Sequence, residues 1–191
     1  MKKLIFGLIA TLLLAFNGNA QNLRANFLKG KTYDEAIAAF NKLSDSDKSA
    51  LWVEKLDQLL TQKLPEEQII VIKKIKETLT SDYKSETSFI DSAINLAKIT
   101  PFEDFTQMIE SLYDYQYNGK FYGSTVVPDS ILNDIKNLGS SENLSKTSGS
   151  SYCNCRWTCI WHNDYNPSGG CSHTPDGCGF LWLQSCTGHY N

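Results

Sequence analysis

The chain has 191 residues and a formal net charge of −3, the balance of 18 basic and 21 acidic side chains. No basic patch stands out along it. Because Lys and Arg supply most of the non-specific affinity for phosphates, a nucleic-acid partner is not expected. The length allows one ordinary domain with a small module attached.

The N-terminus has the pattern of a secretory signal peptide. Two lysines lie near the start, residues 4–16 form an apolar run, and small side chains stand at Gly18 and Ala20. The run is shorter than the about 20 residues that cross a bilayer, so a cleaved signal over residues 1–20 is favoured over a buried first helix. We therefore expect Gln21 to begin a mature chain that is secreted or periplasmic and has no stable membrane anchor.

Residues 21–138, called the helical region below, are predicted to be mainly α. Their apolar side chains recur every three or four residues, which predicts a bundle of five to six helices. Thr32 and Glu35 have the spacing of a capping box, and Thr100 is the predicted cap of a later helix. Residues 21–32 lack a clear period and are expected to fray. The predicted helices cover residues 34–43, a stretch after Asp47, 65–80, 86–98, a stretch opening at Pro101, and about 129–138.

The second of these helices illustrates the pattern. Its apolar stripe includes Leu51, Trp52 and Leu56, while the basic residues Lys48 and Lys55 fall mostly off the stripe. The spacing therefore predicts that the two lysines lie outside the core.

Two stretches interrupt or end the helical region. Tyrosine and phenylalanine alternate around Asn118 and Gly119, which fits either a β-hairpin with a tight turn or an aromatic loop over the bundle. Residues 139–151 contain six serines and two glycines. They are predicted to form a flexible linker and to be the place where proteases cut first.

Residues 152–191, called the tail, hold every cysteine of the chain. A module of this size cannot bury enough apolar surface to fold without cross-links or a metal. Export favours oxidation, so we expect a disulfide framework and no bound zinc, and the pairing stays open among 15 arrangements. The predicted disulfide residues are Cys153, Cys155, Cys159, Cys171, Cys178 and Cys186.

Short strands and turns are expected inside this small disulfide-rich module. Proline and glycine predict turns at residues 166–170 and 174–177, with extended segments at 155–162 and 180–184. Three of the four tryptophans lie in the tail. They either pack on the disulfides as a miniature core or contact a membrane or receptor. The candidates for target contact are Trp157 and Trp161.

The sequence shows no enzyme signature. The helical region contains no histidine, and its acidic pairs, such as Glu103 with Asp104, sit at helix starts where the helix dipole already explains them. A Cys–His nucleophile in the tail is disfavoured because it needs a thiolate left free from an even set. No catalytic residue, cofactor or metal is therefore predicted.

The tail carries a further set of residues in a distinctive order. They are C-N-C at 153–155, C-S-H-T-P-D-G-C-G at 171–179, and then Trp182, Cys186, Gly188 and Tyr190. In these residues the tail resembles the fulvocin C-related bacteriocin family. The run at 171–179 is the specific part. Proteins of that family also carry a signal and a charged helical region, but their peptide has two more cysteines, so its pairing cannot be copied onto this tail.

The resemblance implies a secreted antibacterial peptide carried by a helical precursor. The expected partner is a receptor on target bacteria, because the tail has one Arg against two Asp and so offers no general attraction to anionic lipid. A self-immunity protein is a further partner that the resemblance suggests. The rival interpretation is a non-lethal module that binds a surface protein or glycan, with the helical region as its base. A secreted hydrolase is disfavoured because the acid, base and nucleophile are missing.

Overall fold

The computed structural model describes residues 23–81, 86–138 and 174–186. The predicted signal peptide, the linker and the segment 155–162 lie outside these residues.

The described part of the chain is mainly helical and contains seven α-helices followed by a short antiparallel hairpin. The helices are α1 Leu23–Leu28, α2 Tyr33–Phe40, α3 Asp45–Leu60, α4 Glu66–Ser81, α5 Ile90–Ile99, α6 Phe102–Ile109 and α7 Asp129–Lys136. A 3₁₀ turn, Glu86–Phe89, precedes α5, and another, Phe180–Trp182, lies between strands β1 Thr174–Cys178 and β2 Gln184–Cys186. Within these residues, no helix is long and apolar enough to cross a membrane.

Local signals set most helix starts as predicted. The Thr32 side chain accepts from the Glu35 backbone N–H, and the Glu35 carboxylate accepts from the Thr32 N–H at 2.8 Å, which completes the capping box of α2. The predicted cap at Thr100 is wrong. The N-cap of α6 falls one residue later, at Pro101, whose side chain has no hydrogen-bonding group, and no side chain caps that end.

The segment expected to fray instead forms α1. Arg24 is 7% exposed, and its guanidinium donates to the carbonyl of Leu112 and, at 2.5 Å, to the carboxylate of Asp114. The Arg24 backbone N–H also donates to the Glu54 carboxylate at 2.8 Å. These partners are 30 to 90 residues away along the chain, so tertiary contacts rather than local periodicity order this helix.

One core runs through the helical region. Trp52, Phe40, Phe89 and Phe105 are each fully buried within it. Helix α3 packs on α4, α4 on α5, and α5 on α7. The placement of Lys48 and Lys55 outside the core is wrong. Lys48 is 5% exposed with its ammonium 5.3 Å from the centre of the Phe40 ring, and Lys55 is fully buried.

Between α6 and α7 the chain forms a loop rather than the β-hairpin considered above. Gly119 has a φ of 85°, a conformation that glycine adopts at little cost. Tyr115 is 1% exposed, and its hydroxyl anchors the loop on α6. The aromatic-loop alternative is therefore the one observed.

Candidate functional site at the buried loop of the tail

Residues 179–183, called the apolar loop, join β1 to β2 and enter the core of the helical region. Phe180, Leu181 and Trp182 have no exposed surface, and Leu183 is 8% exposed. All four belong to the same hydrophobic cluster as the helices. The tail is therefore attached to the helical region by a packed contact as well as by the chain.

Trp182 is the centre of this contact. Its ring meets the rings of Tyr33, Phe40 and Trp52 edge to face, with centroid separations of 5.8, 4.9 and 5.8 Å. Such perpendicular pairs add attraction beyond area burial because the edge of one ring is positive and the face of the other is negative. The indole Nε1 donates to the carbonyl of Glu110 at 2.7 Å. The pocket thus recognises both the apolar ring and its polar N–H.

Two further side chains hold the ends of the apolar loop. The Phe180 ring lies 6.0 Å from the Phe89 ring, between centroids. Gln184 is 6% exposed, and its amide closes the loop: Oε1 accepts from the Phe180 N–H at 3.2 Å, while Nε2 donates to the Asp134 carbonyl at 3.4 Å. The contact therefore extends from α2 and α3 to α7.

The backbone of the apolar loop is strained. Leu181 and Trp182 have φ values of 50° and 54°, in the left-handed region that bulky L-residues rarely adopt. Gly179 has φ 66° and ψ −151°, a conformation almost restricted to glycine. The N–H groups of Trp182 and Leu183 donate to the carbonyls of Gly179 and Phe180 at 3.1 and 3.0 Å. Packing in the pocket must offset the cost of this turn.

This arrangement corrects three expectations for the tail. Trp182 packs on aromatic rings of the helical region and is fully buried, so it does not lie at an exposed contact surface. Residues 180–183 form a turn rather than an extended segment, and Thr174–Cys178, expected to turn, is a strand. The strand Thr174–Cys178 finds its partner in β2, where Thr174 is opposite Cys186 and Cys178 opposite Gln184.

Of the predicted disulfide and target-contact residues, the structure describes only Cys178 and Cys186. Cys178 is 3% exposed and disulfide-bonded, and Cys186 lies in β2. The remaining residues of the predicted disulfide and target-contact sets lie outside the described residues; they are Cys153, Cys155, Cys159, Cys171, Trp157 and Trp161. The complete disulfide framework stays a prediction.

A buried carboxylate at the start of α6 is a second feature that the sequence did not reveal. Asp104 is fully buried and accepts from the Tyr115 hydroxyl at 2.6 Å and from the Gly123 N–H at 2.9 Å. Desolvation by burial, together with the Asp104 charge, raises the pKa of Tyr115 and of Tyr122 above the usual tyrosine range. Because the neighbouring tyrosines stay protonated, Asp104 serves as a structural hydrogen-bond acceptor. The helix dipole alone therefore does not account for this residue.

Lys55 forms a third buried polar site. Its ammonium donates to the Tyr113 carbonyl, near the Arg24–Asp114 ion pair. Desolvation by burial lowers the pKa of Lys55 to about 7, with repulsion from Arg24 adding to the shift and Asp114 opposing it. No apolar spacing could have indicated this lysine, because its partner lies 58 residues away along the chain.

Across the described ranges, no three His, Cys, Asp or Glu side chains come close enough to hold a metal ion. The feature with the most specific geometry is the pocket around Trp182. Comparisons of the chain with protein-family models, with curated proteins and with solved structures find no significant match.

Proposed function

We propose that this chain is a secreted, bacteriocin-like protein whose cysteine-rich tail is the antibacterial module and whose helical region is its carrier. The export signal, the six cysteines confined to the tail and the resemblance to the fulvocin C-related family support the antibacterial part. The observation that supports the carrier part is the complete burial of Trp182 among Tyr33, Phe40 and Trp52.

The carrier role follows from the chemistry of the apolar loop. A run of Phe, Leu, Trp and Leu exposed on so small a module would form an adhesive patch. In the folded chain Phe180, Leu181 and Trp182 have no exposed surface, and the helical region supplies carbonyl acceptors at Glu110 and Asp134 for the Trp182 and Gln184 side chains. Once the chain has folded, the helical region thus covers the most apolar segment of the tail.

The test is a killing assay with matched forms of the protein. The oxidised full chain, the chain cut within residues 139–151 and the separated tail are added to a broad panel of bacteria. We expect inhibition of a few strains by the separated tail, and loss of inhibition after reduction, because removing native disulfides from a small secreted domain costs about 2–5 kcal/mol. Trp157→Ala and Trp161→Ala should weaken killing. A tail that binds a surface ligand tightly and inhibits nothing would overturn the proposal.

A second candidate is a binding protein that acts intact, with the helical region as a permanent base. The observation that favours it is that the apolar loop completes the core of the helical region, so that the two parts form one packed unit. The mass of the secreted species separates the candidates. A released tail fragment favours the antibacterial peptide, and an intact chain from Gln21 favours the binding protein.

A further inference from the structure

We infer that the helical region is a binding protein for its own tail, and that it retains the tail non-covalently after the linker has been cut. The partner is the apolar loop with the adjoining Gln184. This inference deepens the proposed function by naming what the carrier binds. Its test, however, measures binding and needs no killing activity.

The contacts described for the apolar loop do not involve the linker. They come from Tyr33 in α2, Trp52 in α3 and the backbone carbonyls of Glu110 and Asp134. Residues 139–151, where cleavage is expected, supply none of them. Cutting the chain there removes the covalent tether and leaves every one of these contacts in place.

Within one chain, no disulfide can join the tail to the helical region once the linker has been cut. All six cysteines follow residue 152, so the helical region has no thiol with which to pair. After cleavage, any association between the two fragments must be non-covalent. Co-elution of the fragments under non-reducing conditions is therefore a direct measure of non-covalent binding.

The geometry of the pocket is that of a binding hot spot. In protein interfaces a few Trp, Tyr and Arg side chains in fully desolvated pockets supply most of the affinity. Trp182 has no exposed surface, contacts three aromatic rings and satisfies its single donor. Gln184 adds one hydrogen bond across the same contact, from Nε2 to the Asp134 carbonyl, while its Oε1 accepts from the Phe180 N–H within the loop.

The apolar loop and its pocket each depend on the other for their conformation. The left-handed backbone at Leu181 and Trp182 is costly, and a free loop relaxes to a more favourable conformation. The pocket in turn loses the ring that fills the space between Phe40 and Trp52. Binding by the pocket thus selects one conformation of the loop, and it distinguishes this segment from other apolar peptides.

The experiment starts from the full chain, so neither fragment has to fold alone. A specific protease site is inserted within residues 139–151, the protein is folded and oxidised, and the linker is then cut. The fragments are analysed by size-exclusion chromatography and native mass spectrometry over a dilution series. We expect both fragments in one complex at micromolar concentration.

Variants assign the binding to the pocket. Trp182→Phe keeps an aromatic ring but loses the donor to Glu110, and we expect its dissociation constant to rise roughly tenfold, since a net hydrogen bond contributes about 1 kcal/mol and the smaller ring packs less well. Gln184→Ala should weaken the complex to a similar extent. Val126→Ala, at a side chain 85% exposed, is the matched control and should change nothing.

The outcomes separate the inference from the proposed function. Complete separation of the wild-type fragments at micromolar concentration, with the helices still folded by circular dichroism, would overturn the inference whatever the tail does to bacteria. Helices that stay folded in the complex, and unfold only on dilution below the concentration at which the fragments separate, would support it, because the bound loop would then be what keeps the helical region folded. A stable complex whose released tail inhibits no strain would leave the inference standing and remove the antibacterial proposal.

Discussion

Replacing Trp182 with alanine tests whether the tail belongs to the core of the helical region. The ring is fully buried, and truncation of a buried Phe or Trp to Ala costs about 3–5 kcal/mol. Loss of the indole donor to the Glu110 carbonyl adds about 1 kcal/mol. Alanine at the same left-handed φ of 54° still meets its own backbone, so little strain is recovered.

The expected loss of about 4–6 kcal/mol is a large share of the stability of a typical protein, which is about 5–15 kcal/mol. At about 2–4 °C per kcal/mol for a chain of this size, the melting temperature should fall by about 10–20 °C. The measurement is thermal unfolding of the oxidised full chain, followed by circular dichroism at a wavelength that reports helix. The helices themselves should melt earlier, although the substitution lies in the tail.

Val126→Ala is the control for this experiment. Its side chain is 85% exposed, and a surface change of this kind should alter the unfolding free energy by less than about 0.5 kcal/mol. If the helices of Trp182→Ala melt at the same temperature as those of Val126→Ala, the tail is an independent module and the packing argument fails.

Three further predictions concern the helical region. Above pH 7 the folded chain has released the Lys55 proton that the unfolded chain still holds, so the unfolding free energy of the wild type should rise from about pH 7 to 9.5. Urea titrations at the two pH values should show a smaller rise for Lys55→Met. An equal rise in both proteins would contradict the lowered pKa. Gly123→Ala would place a Cβ 2.3 Å from Glu103 Oε2, and should cost about 1–3 kcal/mol in chemical denaturation, whereas an unchanged midpoint would show that Glu103 simply moves aside. Thr32→Ala removes the cap of α2 and should cost about 1 kcal/mol, while Thr32→Ser, which keeps the hydroxyl, should cost less.

Local rules recovered the helices because their signals are local. The capping box at Thr32, the proline starts at Pro65 and Pro101, and the three- and four-residue apolar spacing each depend on neighbours within a few turns. The observed helices α4 and α7 accordingly begin within one residue of the predicted starts.

The expectations that failed depend on partners far along the chain. Arg24 orders α1 through Asp114, and Lys55 is buried against the Tyr113 carbonyl. By its pattern, the short apolar run at 180–183 fits a strand or a buried turn equally well. The turn is stabilised by the packing of Trp182 between Phe40 and Trp52, which the pattern does not contain. A single sequence gives no sign of which distant surface such a run will meet.

The predicted disulfides and the packed contact of the apolar loop differ in where they act, and this difference bears on how the tail could be released. Cysteines are confined to the tail, so any disulfides within the chain act there, and they survive cleavage of the linker. The tail and the helical region are instead held together by the apolar loop, whose contacts are non-covalent and whose backbone at Leu181 and Trp182 is strained. Strain lowers the free energy needed to withdraw the loop without weakening the frame that carries it. A covalent bridge between the two parts would have made release depend on reduction, which would also dismantle the tail. Attachment through a buried tryptophan therefore allows the tail to leave with its own disulfides intact.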